Sequence, residues 1–171
     1  REQLGFRFTS LSDAENGLLA YVLTEMVNNA IDHARAARVS VSLDIQAAAV
    51  ALDVVDDGIG AFASVQAGRG LANVMEAAAE ITKGKVTTMP EHHSGEGVFF
   101  SSKAVDHFEL SANGLALVVD NSIDDLTIRA TPAHLGTTAR SSAPTRPGAL
   151  CLVPRSDNFL ITWKSPNPRR G

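Results

Sequence analysis

The 171-residue sequence predicts an α/β domain built on a mostly antiparallel sheet, and three observations carry that expectation. Leu19, Val22, Leu23, Met26, Val27, Ala30 and Ile31 recur at three- and four-residue intervals, the period of a helix that buries one face. Val39, Val41, Leu43 and Ile45 alternate with Ser40, Ser42 and Asp44, as in a half-buried strand, and a more apolar run over 50–55 follows a short polar break, as in an antiparallel hairpin. Farther along, Ala112-Asn113-Gly114 joins two more strand-like runs, and Asn-Gly is a strong hairpin-turn signal.

Taken in order, Ser12 with Glu15 three residues on has the form of a capping box, so the first helix starts there and runs to about residue 37. The two strands over 39–45 and 50–55 end in Asp56-Asp57-Gly58-Ile59-Gly60. Residues 72–82 are Ala-rich and read as a helix; 83–97, with Gly, Pro and the adjacent His92 and His93, read as a long loop. A short helix over about 98–108 leads to strands over 108–111, 115–119 and 126–130. Gly136-Thr137-Thr138 opens a last strand, but Ala139-Arg140-Ser141-Ser142 lacks the apolar alternation expected of it, which makes it a weak strand at a sheet edge.

Hydrophobic residues make up 44% of the chain, enough for one domain with a sizeable core. The expected division is a domain over 1–139 and a basic, Pro-rich, partly irregular tail over 140–171. Five of the seven prolines fall in that tail, and its six basic residues face one acid, Asp157. The runs over 149–153 and 159–163 are candidates for an added edge strand. The net charge of −4 gives no general reason to expect nucleic-acid or membrane-surface binding. A lone cysteine, Cys151, excludes an internal disulfide framework and fits a reducing, cytoplasmic setting. No run of about eighteen apolar residues suggests a membrane span. The first residue is Arg1, so a piece of a longer protein is expected.

Three motifs bear the chemistry. Glu25 and Asn29 lie four apart on the first helix, which stacks a carboxylate and a carboxamide on one side; the competing reading is a solvated face beside a core face. Asp56-x-Gly58-x-Gly60 places a carboxylate at a strand end where glycines let the backbone turn and approach a neighbour, as an ordinary tight turn also would. Gly95-Glu96-Gly97 stands directly before a helix, where unpaired N–H groups and the positive dipole end favour phosphate, although a glycine loop can be only a loop.

In this order the motifs resemble those of the GHKL ATPases, the group that holds gyrase, the histidine kinases and the anti-sigma-factor kinases. Thr24 to His33 is similar to their N box, and Val55 to Gly60 to their first glycine box. Residues 82–88 and 93–103 most resemble a bacterial, anti-sigma-factor-like branch that occurs in regulators. The resemblance covers about residues 8–139 and implies a two-layer α/β (α+β) sandwich of the Bergerat ATP-binding type, with a mostly antiparallel mixed sheet and helices on one face.

It further implies that Glu25 is the general base and that Asn29 ligates magnesium bridging the phosphates. Asp56 would accept from the adenine amino group, Gly58 and Gly60 would admit the nucleotide, and Gly95, Gly97 and Val98 would serve the phosphates. Thr137 or Thr138 would stand near the adenine. Asn28, Asp57 and Lys83 are secondary candidates. The implied ligands are ATP and Mg2+, and the implied work is phosphorylation of a protein serine or threonine, or ATP-gated regulation of a protein partner. A non-catalytic nucleotide-binding or interaction module with the same fold is the alternative.

Gly68-Arg69-Gly70 also precedes a helix and imitates a phosphate loop. A dinucleotide-binding fingerprint fails because Asn73 occupies the third glycine position without a βαβ context. The flanking residues favour Gly95 and Gly97. Adjacent His92 and His93 point apart and lack a cluster at metal-ligand spacing, so they read as lid residues. His33 reads as helix-end packing, and Cys151 and Trp163 as packing residues in the tail.

Overall fold

A computed structural model of the chain describes residues 11–46, 49–84, 96–144 and 157–164, and in it the hairpins join one seven-stranded sheet. In chain order the elements are α1 (Asp13–Asp32), β1 (Arg38–Ile45), β2 (Ala49–Asp56), α2 (Ala61–Arg69), α3 (Val74–Ile81) and α4 (Gly97–Ala104). They continue as β3 (His107–Ala112), β4 (Leu115–Asp120), β5 (Asp125–Ala130), β6 (Thr137–Pro144) and β7 (Asp157–Lys164). The strand order is β5-β4-β3-β6-β2-β1-β7, and every neighbouring pair is antiparallel, so these pairings include no parallel one.

The capping box at the head of α1 is formed: the Ser12 hydroxyl accepts from the Glu15 N–H, and Glu15 Oε2 accepts from the Ser12 N–H at 2.7 Å. The helix ends at Asp32, just past the last residue of its apolar period and short of the expected end near residue 37. Arg35 takes a positive φ of 53°, and Asp57 Oδ1 accepts the N–H groups of Ala37 and Arg38 at 2.8 Å each, which pulls that segment toward β1.

One face of the sheet is the core. The cross-strand row Val41, Val54, Ala139, Leu110, Leu117 and the row Leu43, Leu52, Ser141, Phe108, Val119 lie beneath the helices. α1 packs on β1 and β2, α4 on β3 and α3 on β4. Full burial of each large side chain in these rows contributes about 1.5–3 kcal/mol. The opposite face is polar: Arg140 donates to both carboxylate oxygens of Asp53 at 3.0 and 3.3 Å, and Arg129 pairs with Glu109 at 3.0 Å.

That polar face corrects the expectation for β6. Its weakly apolar sequence is not a frayed edge but an interior strand, paired with β2 on one side and β3 on the other. Ala139 and Ser141 face the core while Arg140 faces Asp53, and the buried Ser141 hydroxyl donates to the Leu52 carbonyl at 3.4 Å. A strand between two partners is held by its ladder hydrogen bonds, so small and polar residues suffice.

The sheet also passes residue 139, where the composition changes: β6 runs to Pro144, and β7 pairs with β1 from Arg38↔Lys164 to Ile45↔Asp157. α2 is an element that local sequence pattern does not announce. The segments 47–48, 85–95, 145–156 and 165–171 lie outside the described residues, and with them the expectations for Gly95, His92, His93 and Cys151.

Candidate functional site

The end of β2 meets the start of β6 and the foot of α1, and this junction collects four of the expected residues, Asp56, Gly58, Gly60 and Thr137. Asp56, the last residue of β2, is buried. Its Oδ1 accepts from the Gly58 N–H at 2.8 Å and from the Thr137 N–H at 3.3 Å. Burial pushes the Asp56 carboxyl above the usual carboxylate range, more than the bonds from Gly58 and Thr137 pull it down, and the neighbouring Asp57 adds to the rise.

Gly136 makes this contact possible. Its φ is 77°, and a Cβ there would lie 1.9 Å from the Asp56 carbonyl oxygen. The sequence alone did not single out Gly136; its only signal was its place immediately before the last strand.

Gly58 and Gly60 serve close approach, but to protein. A Cβ on Gly58 would lie 2.1 Å from the Ala34 carbonyl oxygen, which accepts the Ile59 N–H at 2.8 Å. At Gly60, with φ 88°, a Cβ would lie 2.4 Å from Asn113 Oδ1. The Asn-Gly turn between β3 and β4 therefore reaches over the loop after β2. Asn113 donates to the Ile59 carbonyl at 2.9 Å and accepts from the Ala63 N–H at 3.0 Å. Thr137 Oγ1 accepts from the Ala61 N–H at 3.0 Å. A residue of the β3–β4 turn and one of β6 thus cap α2, whose own N-cap residue, Gly60, offers no side chain. Asn113 was legible only as a turn residue.

The second half of the site lies between α1 and α4. Glu25 is 7% exposed, and a Cβ added to Gly97, the first residue of α4, would lie 2.0 Å from Glu25 Oε2. One turn along α1, Asn29 keeps the Nδ2 end of its carboxamide buried without a hydrogen-bond partner, as do Asn28 at Nδ2 and Thr24 at Oγ1. Val98 is partly buried against the core. Thr138 lies opposite Val55 and Ser111 in the sheet, facing away from the core rows.

The secondary candidates have structural duties. Asp57 ties down residues 37 and 38, and Lys83 pairs with Glu80 at 2.6 Å. Lys83 and Arg69 hold the Glu80 carboxyl below its usual range, the bond from Lys83 being the larger cause. His33 is the C-cap of α1, and its carbonyl accepts the Ser64 hydroxyl at 3.0 Å. Gly68 lies inside α2, and Gly70 is its left-handed C-cap with φ 64°. α3 is capped by Asn73, which accepts from the Glu76 N–H at 2.9 Å, while Glu76 takes the Ala72 N–H at 3.1 Å. Among the described residues, no group of three or more His, Cys, Asp or Glu is placed to hold a metal ion, and no helix is long and apolar enough to cross a membrane.

An open antiparallel sheet with helices on one face, and polar groups gathered where a helix and two strand ends meet, defines an α+β ligand-binding domain. The family model described as the histidine kinase-like ATPase domain matches residues 4–120, more than half of the chain. The chain belongs to that family, and with it comes ATP binding at the general level. No curated protein matches the chain.

Proposed function

We propose that this domain binds ATP with Mg2+ and acts in a bacterial regulatory protein of the cytoplasm, as a protein-serine/threonine kinase or as an ATP-gated regulator of a protein partner. The observation that carries this reading is the contact of Gly97 with Glu25, which sets a buried carboxylate against the start of a glycine-led helix. Phosphoryl transfer asks the protein mainly for positioning and charge neutralisation, and a carboxylate beside a phosphate-binding helix start can orient the attacking hydroxyl or water.

The remaining roles follow from the same geometry. Asp56 is the adenine reader: about four lone-pair sites on its carboxylate exceed what Gly58 and Thr137 use, leaving acceptor capacity for an exocyclic amine. The loop of Gly58 and Gly60, clamped by Ala34 and Asn113, holds that carboxylate in place, and Thr137 orients it from the other side. Gly97, with Gly95 and Val98 beside it in sequence, marks the phosphate end.

Helix caps support this choice over Gly68 and Gly70. The starts of α1, α2 and α3 carry side-chain caps, whereas Glu96 makes no side-chain cap for α4, and Gly70 sits at a helix C-terminus whose carbonyl dipoles repel phosphate. Asn29 suits Mg2+. This ion is bound by one or two protein groups together with phosphates and water, and so needs no carboxylate cluster; the Asn29 carboxamide oxygen would hold it, while the buried, unpartnered Nδ2 end is a donor that suits a phosphate oxygen rather than the metal. The metal supplies charge neutralisation at the phosphates.

Titration of the chain with ATP and ADP, with and without Mg2+, tests the reading, followed by phosphate release or transfer with candidate partner proteins. Binding indifferent to nucleotide and metal would leave a protein-interaction module of the same fold.

A further inference from the structure

We propose that the outer edge of β5 is a self-complementary docking strand through which two copies of this chain form one continuous sheet. Among the described residues no strand pairs with that edge, since β5 ends the strand order. It is also unusually apolar in its surroundings: Leu126 is 45% exposed, and Ile123 and Leu135, in the connections before and after β5, are 72% and 74% exposed. An uncovered edge with apolar side chains is a template for another strand.

The backbone shows which groups await a partner. The Thr131 N–H donates to the Gly114 carbonyl at 2.9 Å, continuing the register in which Ala130 faces Leu115. Hydrogen bonding alternates along an antiparallel strand, so Asp125, Thr127 and Arg129 point their backbone groups at β4, while Leu126 and Ile128 point theirs outward.

Two copies related by a two-fold axis at Thr127 would satisfy those groups. Leu126 of each copy then faces Ile128 of the other, the two exchanging both hydrogen bonds, with their side chains on the core face of the joined sheet. On the polar face Asp125 faces Arg129 of the other copy, twice. Ile123 falls opposite residue 131, at the start of the connection that carries Leu135. Moving the axis by one residue leaves Asp125 opposite Thr127 or Thr131, so the charges select this register. Arg129 is half-exposed and bound to Glu109 of β3, inward across β4, so pairing with Asp125 of the other copy turns its guanidinium outward from that bond. An edge this short buries less than the roughly 1,000 Å² of a stable interface, so the dimer is weak and reversible. This inference stands apart from the nucleotide reading and does not rest on it.

The test is sedimentation velocity of the whole chain from micromolar to millimolar concentration, with amide exchange at both ends of that range. The expected result is a dimer that grows with concentration, with new protection at the Leu126 and Ile128 amides and none added at Thr127. Asp125→Lys and Arg129→Asp should each abolish association, because each creates two like-charge pairs. Their equimolar mixture should restore it, because every pair across a mixed dimer is then opposite in charge. A chain that stays monomeric at millimolar concentration overturns the proposal. So does association that survives both substitutions, or a mixture of folded variants that stays apart. Should a variant fail to fold, the exchange pattern of the unaltered chain decides: protection gained elsewhere but not at Leu126 and Ile128 also overturns it.

Discussion

Gly97 lies against Glu25 so closely that a Cβ on the glycine would stand 2.0 Å from the carboxylate Oε2. The two residues are far apart in sequence, one on α1 and one opening α4, and no other residue type at position 97 leaves the carboxylate where it is. Gly97→Ala should therefore push the Glu25 carboxylate aside at a cost toward the low end of the roughly 1–3 kcal/mol range for overpacking, because the atom in the way is the tip of a flexible side chain. In a Glu25→Ala background the same change should cost much less, a non-additivity of about 0.5–3 kcal/mol. Denaturant unfolding of the four proteins measures it, and additive energies would mean the contact does not exist.

Glu25 and Asn29 share a helix face with different expected duties. Glu25→Gln should retain Mg2+-dependent ATP binding while lowering turnover on the order of 10²–10⁴-fold, the range for loss of a general base. Asn29→Ala should instead weaken the Mg2+ dependence of binding. Calorimetry with and without the metal, alongside phosphate release in the presence of a partner, separates the two. Identical behaviour of the variants would remove the division of labour, unchanged turnover in Glu25→Gln would remove Glu25 as the general base, and no turnover in parent and variant alike would favour the non-catalytic module.

Asp56 should trade stability for recognition. Its folded-state pKa lies above the ordinary 3.8 because burial opposes the charge. Between the ordinary value and the raised one the folded state binds more protons than the unfolded, so stability falls as pH rises through that window and is level above it. Asp56→Asn keeps an Oδ1 to accept from Gly58 and Thr137 without a buried charge. It should be at least as stable as the parent at pH 7, with that advantage shrinking as pH falls through the raised folded value toward the ordinary 3.8 and level below it. ATP affinity should nonetheless drop, as an amide cannot reproduce the carboxylate's acceptors. Thermal melts across pH and a nucleotide titration check the pair; a less stable Asp56→Asn at neutral pH would mean that the hydrogen bonds to the carboxylate outweigh its burial.

Asn113 predicts a long-range effect. Its carboxamide holds the Ile59 carbonyl and the Ala63 N–H, so Asn113→Ala leaves both without their partner and uncaps α2. The cost should be about 1–3 kcal/mol. Asn113→Asp should be intermediate or worse, since the carboxylate keeps the bond to Ala63 but faces the Ile59 carbonyl with a second acceptor. Both variants should loosen ATP binding through the Asp56 loop although Asn113 lies in the β3–β4 turn. A variant as stable as the parent would show that the clamp is incidental.

Much of this protein was legible in its residues taken singly or in short runs. The capping box of Ser12 and Glu15, the alternation of β1 and β2, and the Asn-Gly turn are local, and short-range physics suffices for them. So was the motif order that leads to the family, because Glu25, Asn29, Asp56 and Gly97 each stand in a recognisable local setting. What local pattern could not reveal is who meets whom. α2 escaped notice because its caps, Asn113 in the β3–β4 turn and Thr137 on β6, come from 50 and 76 residues away. β6 looked too polar for a strand until its neighbours on both sides supplied its hydrogen bonds and Asp53 supplied a partner for Arg140. The glycines were legible as points of close approach, but only the tertiary structure decided what approaches: Ala34 at Gly58, Asn113 at Gly60, Asp56 at Gly136 and Glu25 at Gly97. Sequence periodicity specifies which face of an element is buried, whereas steric contact between distant backbones depends on how the elements are stacked.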